Sequence, residues 1–285
     1  MAAIRWLALA FGIVAIGTIV APQVDAQQKR MRANRFIEAL DAGKQALTGD
    51  TWVWVEQEHR PYDIVGLRAT LEKILANKNA QGQPILAPIV RIPAEGDQNV
   101  RWIIKQVLES GAMGIIVPQV ENADQALKIV QSMRYPQRKD AKYPLPVGRR
   151  GCGCSGGRGW GLRNPADYTK LADLWPNNPE GEIFSMPMIE SPEGARNINA
   201  ILDVPGVGGV VIGPTDLQLN SGEGQWRNPA DRNPDTVAAI ERVAKACVAK
   251  KKTCGMVTAD EAETKKYLDL GFRFLYATYR PGSSS

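Results

Sequence analysis

Three apolar, strand-length segments of this chain each end in groups that can hold a metal ion or move a proton. Residues 183–190 read IFSMPMIE and end in Glu190. Residues 208–216 read GGVVIGPTD and end in Asp216. Residues 51–59 read TWVWVEQEH and end in His59, the chain's only histidine, with Glu56 and Glu58 just before it. Carboxylates give a divalent cation hard oxygen ligands and leave positions open for substrate and water. An imidazole beside them suits acid–base work near neutral pH. When buried parallel strands finish in polar residues, those residues gather on one rim, where barrel enzymes keep their chemistry.

The elements that must position these groups can be read from hydrophobic spacing. Strands are expected at 52–56, 85–91, 114–117, 183–189, 209–213, 253–257 and 272–277. Helical spacing covers 34–43, 64–76, 100–110, 123–133, 194–202 and 236–249. Alternating strands and helices, with strands that are apolar throughout, indicate a parallel sheet covered on both faces. An open doubly wound sheet and a closed barrel share that pattern. Functional groups on well-separated strand ends favour the barrel, so the expected fold is α/β, a (β/α)8 TIM-type barrel. Residues 134–179 break the rhythm with a Gly-, Pro- and Arg-rich stretch, read as an irregular functional loop or flexible lid. Within it, Gly151-x-Gly153-x-x-Gly156 formally matches a dinucleotide fingerprint, but the strand before and helix directly after that such a site requires are not expected there.

The chain has 285 residues, is 44% hydrophobic and carries a net charge of +5, enough for one large core and consistent with anionic small substrates. No basic stripe with interleaved aromatics marks a nucleic-acid surface. Residues 1–26 read as a secretory signal: Arg5 at the start, an apolar run over 6–20, and Val24-Asp25-Ala26 before a cut. The expectation is export, with no stable membrane association once the signal is removed; the rival is an uncleaved membrane anchor, for which the apolar run is short and interrupted by Gly12 and Gly17. A polar linker over 27–33 and a single domain over 34–285 follow. Export permits disulfides among Cys152, Cys154, Cys247 and Cys254. Pairing of Cys247 with Cys254 is open, as is a metal-type role for Cys152-Gly-Cys154, although zinc sites usually need wider spacing and further ligands. Trp160 and Trp226 are assigned no function.

Several segments together resemble one known family. Glu58-His59-x-Pro61 with Asp63, IKQVLESGA at 104–112 and VPQVENAD at 117–124 are similar to motifs of the HpcH/HpaI aldolase/citrate lyase family. Arg134-Tyr135-Pro136 with Gly148-Arg149-Arg150-Gly151, Ile189-Glu190-Ser191 and IGPTDL at 212–217 are similar to others, in the same order. The resemblance implies a β/α barrel with a divalent ion, Mg²⁺ or Mn²⁺ with Co²⁺ as a further candidate. It implies a small-molecule 2-oxo acid substrate and cleavage of 4-hydroxy-2-oxo acids to pyruvate and an aldehyde through a metal-stabilised enolate. It implies Glu190 and Asp216 as metal ligands and Arg91 as the group that holds the oxo acid. His59 would be the base, acting through a water on the metal, and Glu109 its partner. Glu56 and Glu58 would accept from metal waters, and the backbone of Gly213, Pro214 and Thr215 would receive the substrate carboxylate. A homo-oligomer is also implied.

The chain departs from the family pattern in four places. Only residues 44–50 stand where a first strand and helix belong, so the first β/α unit is expected to be truncated or missing. Met188 stands where relatives carry Gln. Glu109 stands where they carry the Asp that pairs with the histidine. Export is unusual among relatives. Two alternatives therefore stand beside the aldolase: a citryl- or malyl-thioester lyase, disfavoured because an exported protein is unlikely to meet CoA, and a non-catalytic oxo-acid binding protein.

Overall fold

Phe36 shows how the chain begins its core. In the computed structural model, the helix α1 (Arg35–Asp41) is capped by Asn34, whose side chain accepts from the Ile37 amide and donates to the carbonyls of Met113 and Glu182. That anchorage drives Phe36 against Trp52, Phe184 and Phe274, with ring centroids 5.1–5.3 Å apart. All four rings are buried. They close the end of a barrel whose strands all start there.

The structure describes residues 30–277 apart from 94, 223 and 225–230. The expected signal at 1–26, residues 27–29 of the expected linker, Trp226 and residues 278–285 lie outside the described residues. The barrel unit begins at Arg32. Linker character does not extend that far: Arg32 is buried and donates to the carbonyls of Gly181 and Pro179 at 3.0 and 2.6 Å.

After α1 come β1 (Ala46–Leu47), β2 (Trp52–Glu56), α2 (Ile64–Ala76), β3 (Ala87–Arg91), α3 (Arg101–Glu109), β4 (Gly114–Val117) and α4 (Ala123–Met133). Then follow α5 (Pro165–Leu171), β5 (Leu174–Trp175), β6 (Ile183–Ile189), α6 (Pro192–Arg196), α7 (Ile198–Asp203), β7 (Val211–Ile212) and α8 (Pro214–Leu219). The last elements are α9 (Pro234–Ala249), β8 (Gly255–Thr258), α10 (Glu261–Asp269) and β9 (Phe274–Ala277). Every strand pair is parallel, in the order β1-β9-β8-β7-β6-β4-β3-β2, with β5 beside the start of β6. Eight strands therefore form a nearly closed TIM-type barrel.

The truncated first unit is present as a strand of two residues and no helix. β1 pairs only with the first half of β9, and a parallel bridge from Thr48 to Trp52 joins it to β2. Above that bridge the seam is filled by side chains. The Trp54 and Tyr276 rings lie 4.8 Å apart, and Thr48 Oγ1 accepts from the Ala277 amide at 3.1 Å.

Residues 134–179 do not form a lid. The segment leaves the lower end of α4 and returns to the lower end of β6, so it lies at the opposite face from the strand carboxyl ends. It is packed there. Arg134, fully buried, bonds the Asp173 carboxylate at 2.6 and 3.0 Å and the carbonyls of Tyr143 and Pro146. Arg150 is held over the Tyr135 ring at 4.3 Å and donates to Tyr168 Oη. Trp160 Nε1 donates to the Gly111 carbonyl. The glycines at 151–156 open no helix, which removes the dinucleotide reading. Cys152 and Cys154 bond each other, and Cys247 bonds Cys254, so neither pair is an open metal site.

Candidate active site

The carboxyl ends of β2 and β3 set the first half of the site. Glu56 and Arg91 are register partners, so both face the barrel interior. Arg91 Nη2 and Nε contact Glu56 Oε2 at 2.6 and 2.8 Å, and Nη1 contacts Glu58 Oε2 at 2.7 Å. Trp54, two residues before Glu56 and thus on the same face, donates from Nε1 to Glu56 Oε2 at 3.1 Å. Its ring lies under the guanidinium at 5.1 Å. A guanidinium has five N–H donors, so Arg91 keeps donors for a substrate oxygen. Met188 Sδ lies 3.9 Å from Arg91 Nη1 and offers it a weak acceptor.

Burial would raise the Glu56 carboxyl, but the hydrogen bond and charge of Arg91, with Trp54 and the Glu58 amide, hold it below its ordinary range. Glu58 goes the other way. Burial raises it, Arg91 and His59 pull it down, and the charges of Glu56 and Asp216 push it up again. Glu58 Oε2 also lies 3.4 Å from His59 Nε2, so one carboxylate stands between the guanidinium and the imidazole. The His59 side chain is 66% exposed and open to a reactant.

Glu190 ends β6 inside the barrel and is 1% exposed. Its Oε2 accepts from the Gln119 amide at 3.0 Å, and Gln119 takes a positive φ of 53° there. Asn220 Nδ2 ties the Glu190 carbonyl at 2.8 Å to Gln119 Oε1 at 3.3 Å. A β-carbon at Gly213 would collide with Glu190 Oε1 and Met188 Cε, so only glycine lets the chain pass the carboxylate here. Asp216 sits in the first turn of α8, part-exposed. The first helical bond runs from the Leu217 amide to the Gly213 carbonyl, and among the described residues the Thr215 and Asp216 amides have no hydrogen-bond partner. Burial raises the Glu190 carboxyl to about 8; the Gln119 amide opposes this, and the charges of Asp216 and Glu58 add to it.

These electrostatics test whether a cation suits the rim. Four carboxylates, Glu56, Glu58, Glu190 and Asp216, stand with one guanidinium, which pairs with Glu56 and Glu58, and the Glu190 carboxyl is raised first by burial and then by the charges of Asp216 and Glu58. Two carboxylates with open positions match the way Mg²⁺-type ions are held. Glu190 and Asp216 therefore fit the ligand role. No cluster of three His, Cys, Asp or Glu is present among the described residues, so remaining positions fall to water and substrate.

Glu109 is not brought to His59. Barrel helices run away from the catalytic rim, and Glu109 is the last residue of α3. Its carboxylate accepts from the Gly153 amide at 2.7 Å instead. Residues not foreseen at the site are Trp54, Gln119 and Asn220. Gln119 lies within the VPQVENAD segment, whose place after an apolar strand was its signal. Trp54 was hidden because WVWV is apolar on both faces. Beside Gln119 and Asn220, a cleft of about 780 Å³ opens between the rim, Ser191, Arg196 and Arg242.

Comparisons with known proteins point to one family. The sequence profile described as HpcH/HpaI aldolase/citrate lyase matches residues 37–280. A hydroxypyruvate/pyruvate aldolase of Roseobacter denitrificans is 34% identical over 80% of this chain and 77% of its own. A 4-hydroxy-2-oxo-heptane-1,7-dioate aldolase of Salmonella paratyphi A is 32% identical over 85% and 79%. Among solved structures, the HpcH/HpaI aldolase of Desulfitobacterium hafniense superimposes with a TM-score of 0.67 at 25% identity, covering 85% of this chain and 88% of that one. A family protein of Burkholderia cenocepacia gives 0.64 at 26%, covering 79% and 78%. Such relatives generally depend on a divalent metal. The chain belongs to the HpcH/HpaI aldolase/citrate lyase family, and it is a carbon–carbon lyase.

Proposed function

We propose that the chain cleaves a 4-hydroxy-2-oxo acid to pyruvate and an aldehyde, with Mg²⁺ or Mn²⁺ at Glu190 and Asp216. The observation that carries this reading is the buried Glu190 carboxyl, raised to about 8 beside Asp216 and facing the Arg91 side of the same rim. A divalent cation there supplies positive charge beside the keto oxygen, where negative charge grows as the carbon–carbon bond breaks.

The chain's own groups supply the rest. Arg91, fixed by Glu56, Glu58 and the Trp54 ring, presents its remaining N–H donors to the keto and carboxylate oxygens. The Thr215 and Asp216 amides, unpaired among the described residues, receive the carboxylate. His59 takes the proton from the 4-hydroxyl. The C3–C4 electron pair passes to the oxo-acid fragment as the new carbonyl forms, the aldehyde leaves, and C3 then gains a proton to become the methyl of pyruvate. The reverse half of this chemistry gives a clean test. With Mg²⁺, the chain should exchange the methyl hydrogens of pyruvate in D₂O, followed by mass spectrometry. Arg91→Lys should lose most of the exchange, because an ammonium lacks the planar fork. Absence of exchange in the parent protein would count against the reading.

We also propose export after cleavage behind Ala26, supported by the pattern of residues 1–26, and assembly into a homo-oligomer. Exposed Val65 (77%) and Trp102 (51%), on neighbouring helices, support the second proposal.

A further inference from the structure

The two disulfides occupy opposite environments. Cys247 and Cys254 are buried, and their bond joins the last turn of α9 to the residue before β8. Cys152 is exposed and Cys154 part-buried, and their bond spans a single glycine in the packed segment at the lower face. Cys154 has φ 55°, a left-handed conformation that a β-carbon disfavours. The bridge also presents Gly153 to α3: its amide donates to Glu109 Oε1 at 2.7 Å, and a β-carbon there would collide with that carboxylate.

We propose that Cys152–Cys154 is a redox-active site that exchanges with small thiols, while Cys247–Cys254 is structural. Three physical arguments support it. A thiolate can reach an exposed sulfur, and exposed bridges are the labile ones. Closing so short a loop removes little entropy from the unfolded chain, so the bridge gains little from folding. In the bridged loop Cys154 holds a left-handed backbone, a conformation that costs free energy for a residue with a β-carbon. In the exchange, a thiolate attacks one sulfur and forms a mixed disulfide as the other cysteine leaves as a thiolate. A second thiol then attacks the mixed disulfide. The protein gains two electrons and two protons, and two small thiols leave as their disulfide. Within one chain the loop lies at the lower face, away from the rim groups.

The test uses the full folded chain in graded glutathione buffers, followed by alkylation, digestion and mass spectrometry. Cys152 and Cys154 should become alkylated in buffers at least about tenfold less reducing than those that open Cys247–Cys254, a separation of about 30 mV. The Cys152→Ser/Cys154→Ser variant should lose the early step and keep the late one unmoved. Cys154→Ser alone should leave Cys152 carrying glutathione in the oxidising buffers. Both bridges opening together, the buried one opening first, or Cys152 and Cys154 standing as free thiols in oxidising buffer would overturn the proposal.

Discussion

Glu190 makes metal binding depend on pH in a way that can be worked out. Its carboxyl is raised to about 8, first by burial and then by Asp216 and Glu58. A cation that takes Glu190 as a ligand must displace that proton. At pH 8 about half the sites are already ionised; at pH 6 about one in a hundred is. Apparent Mn²⁺ affinity should therefore fall about 50-fold from pH 8 to pH 6. Stability carries the same signature. An unfolded Glu ionises near its model value of 4.5, whereas the folded one keeps its proton to about 8. In that window the folded state binds the extra proton, so stability without metal falls as pH rises through it, by on the order of a few kcal/mol in all. Added metal should restore that loss, most of all at pH 8. Glu190→Gln keeps the shape and should flatten both slopes. The assay is calorimetric Mn²⁺ titration at pH 6, 7 and 8 in buffers of different ionisation enthalpy, beside thermal melts. About one proton should be released per ion at pH 6. A flat affinity with no proton release would show that Glu190 is not the ligand that binds the ion.

Other perturbations follow from the same geometry. His59→Ala should lower aldol cleavage by roughly 10²–10⁴-fold while leaving metal affinity nearly unchanged, since no other histidine exists to replace it; equal rates would remove it from proton transfer. Phe36→Ala empties the ring cluster at the closed end of the barrel and should cost about 3–5 kcal/mol, read by denaturant unfolding. Light scattering across micromolar concentrations should find an oligomer, and a monomer throughout would refute the assembly proposed from Val65 and Trp102.

The strands were legible where the chain is apolar and bounded. The expected 52–56, 114–117 and 183–189 coincide with β2, β4 and β6, and the expected 64–76 and 123–133 coincide with α2 and α4. These elements are buried enough that hydrophobic spacing alone fixes them. Weakly apolar elements were missed. α10 carries Glu261, Glu263, Lys265 and Lys266 and buries few side chains. The single helix expected over 194–202 is two, interrupted at Asn197. At the site, groups at strand ends were legible because a parallel barrel sends every such end to one rim. Glu109 stands apart from His59 within one chain because it ends α3, and motif order says nothing about which end of a helix lies near the rim. Trp54 was invisible because only the register Trp54↔Ile89 and Glu56↔Arg91 shows which face of β2 looks inward.

Pyruvate release measures the central claim most directly. The purified chain, freed of metal by chelation, is given 4-hydroxy-2-oxo acids with and without Mn²⁺, beside Asp216→Ala, and pyruvate is followed by a coupled dehydrogenase. The account predicts release only with the ion, and a loss in Asp216→Ala that added Mn²⁺ does not restore while the fold stays intact. Metal-independent release, or parent-like release by Asp216→Ala, would contradict the roles given to Glu190 and Asp216. Binding of the oxo acid without any release would replace the aldolase with an oxo-acid binding protein.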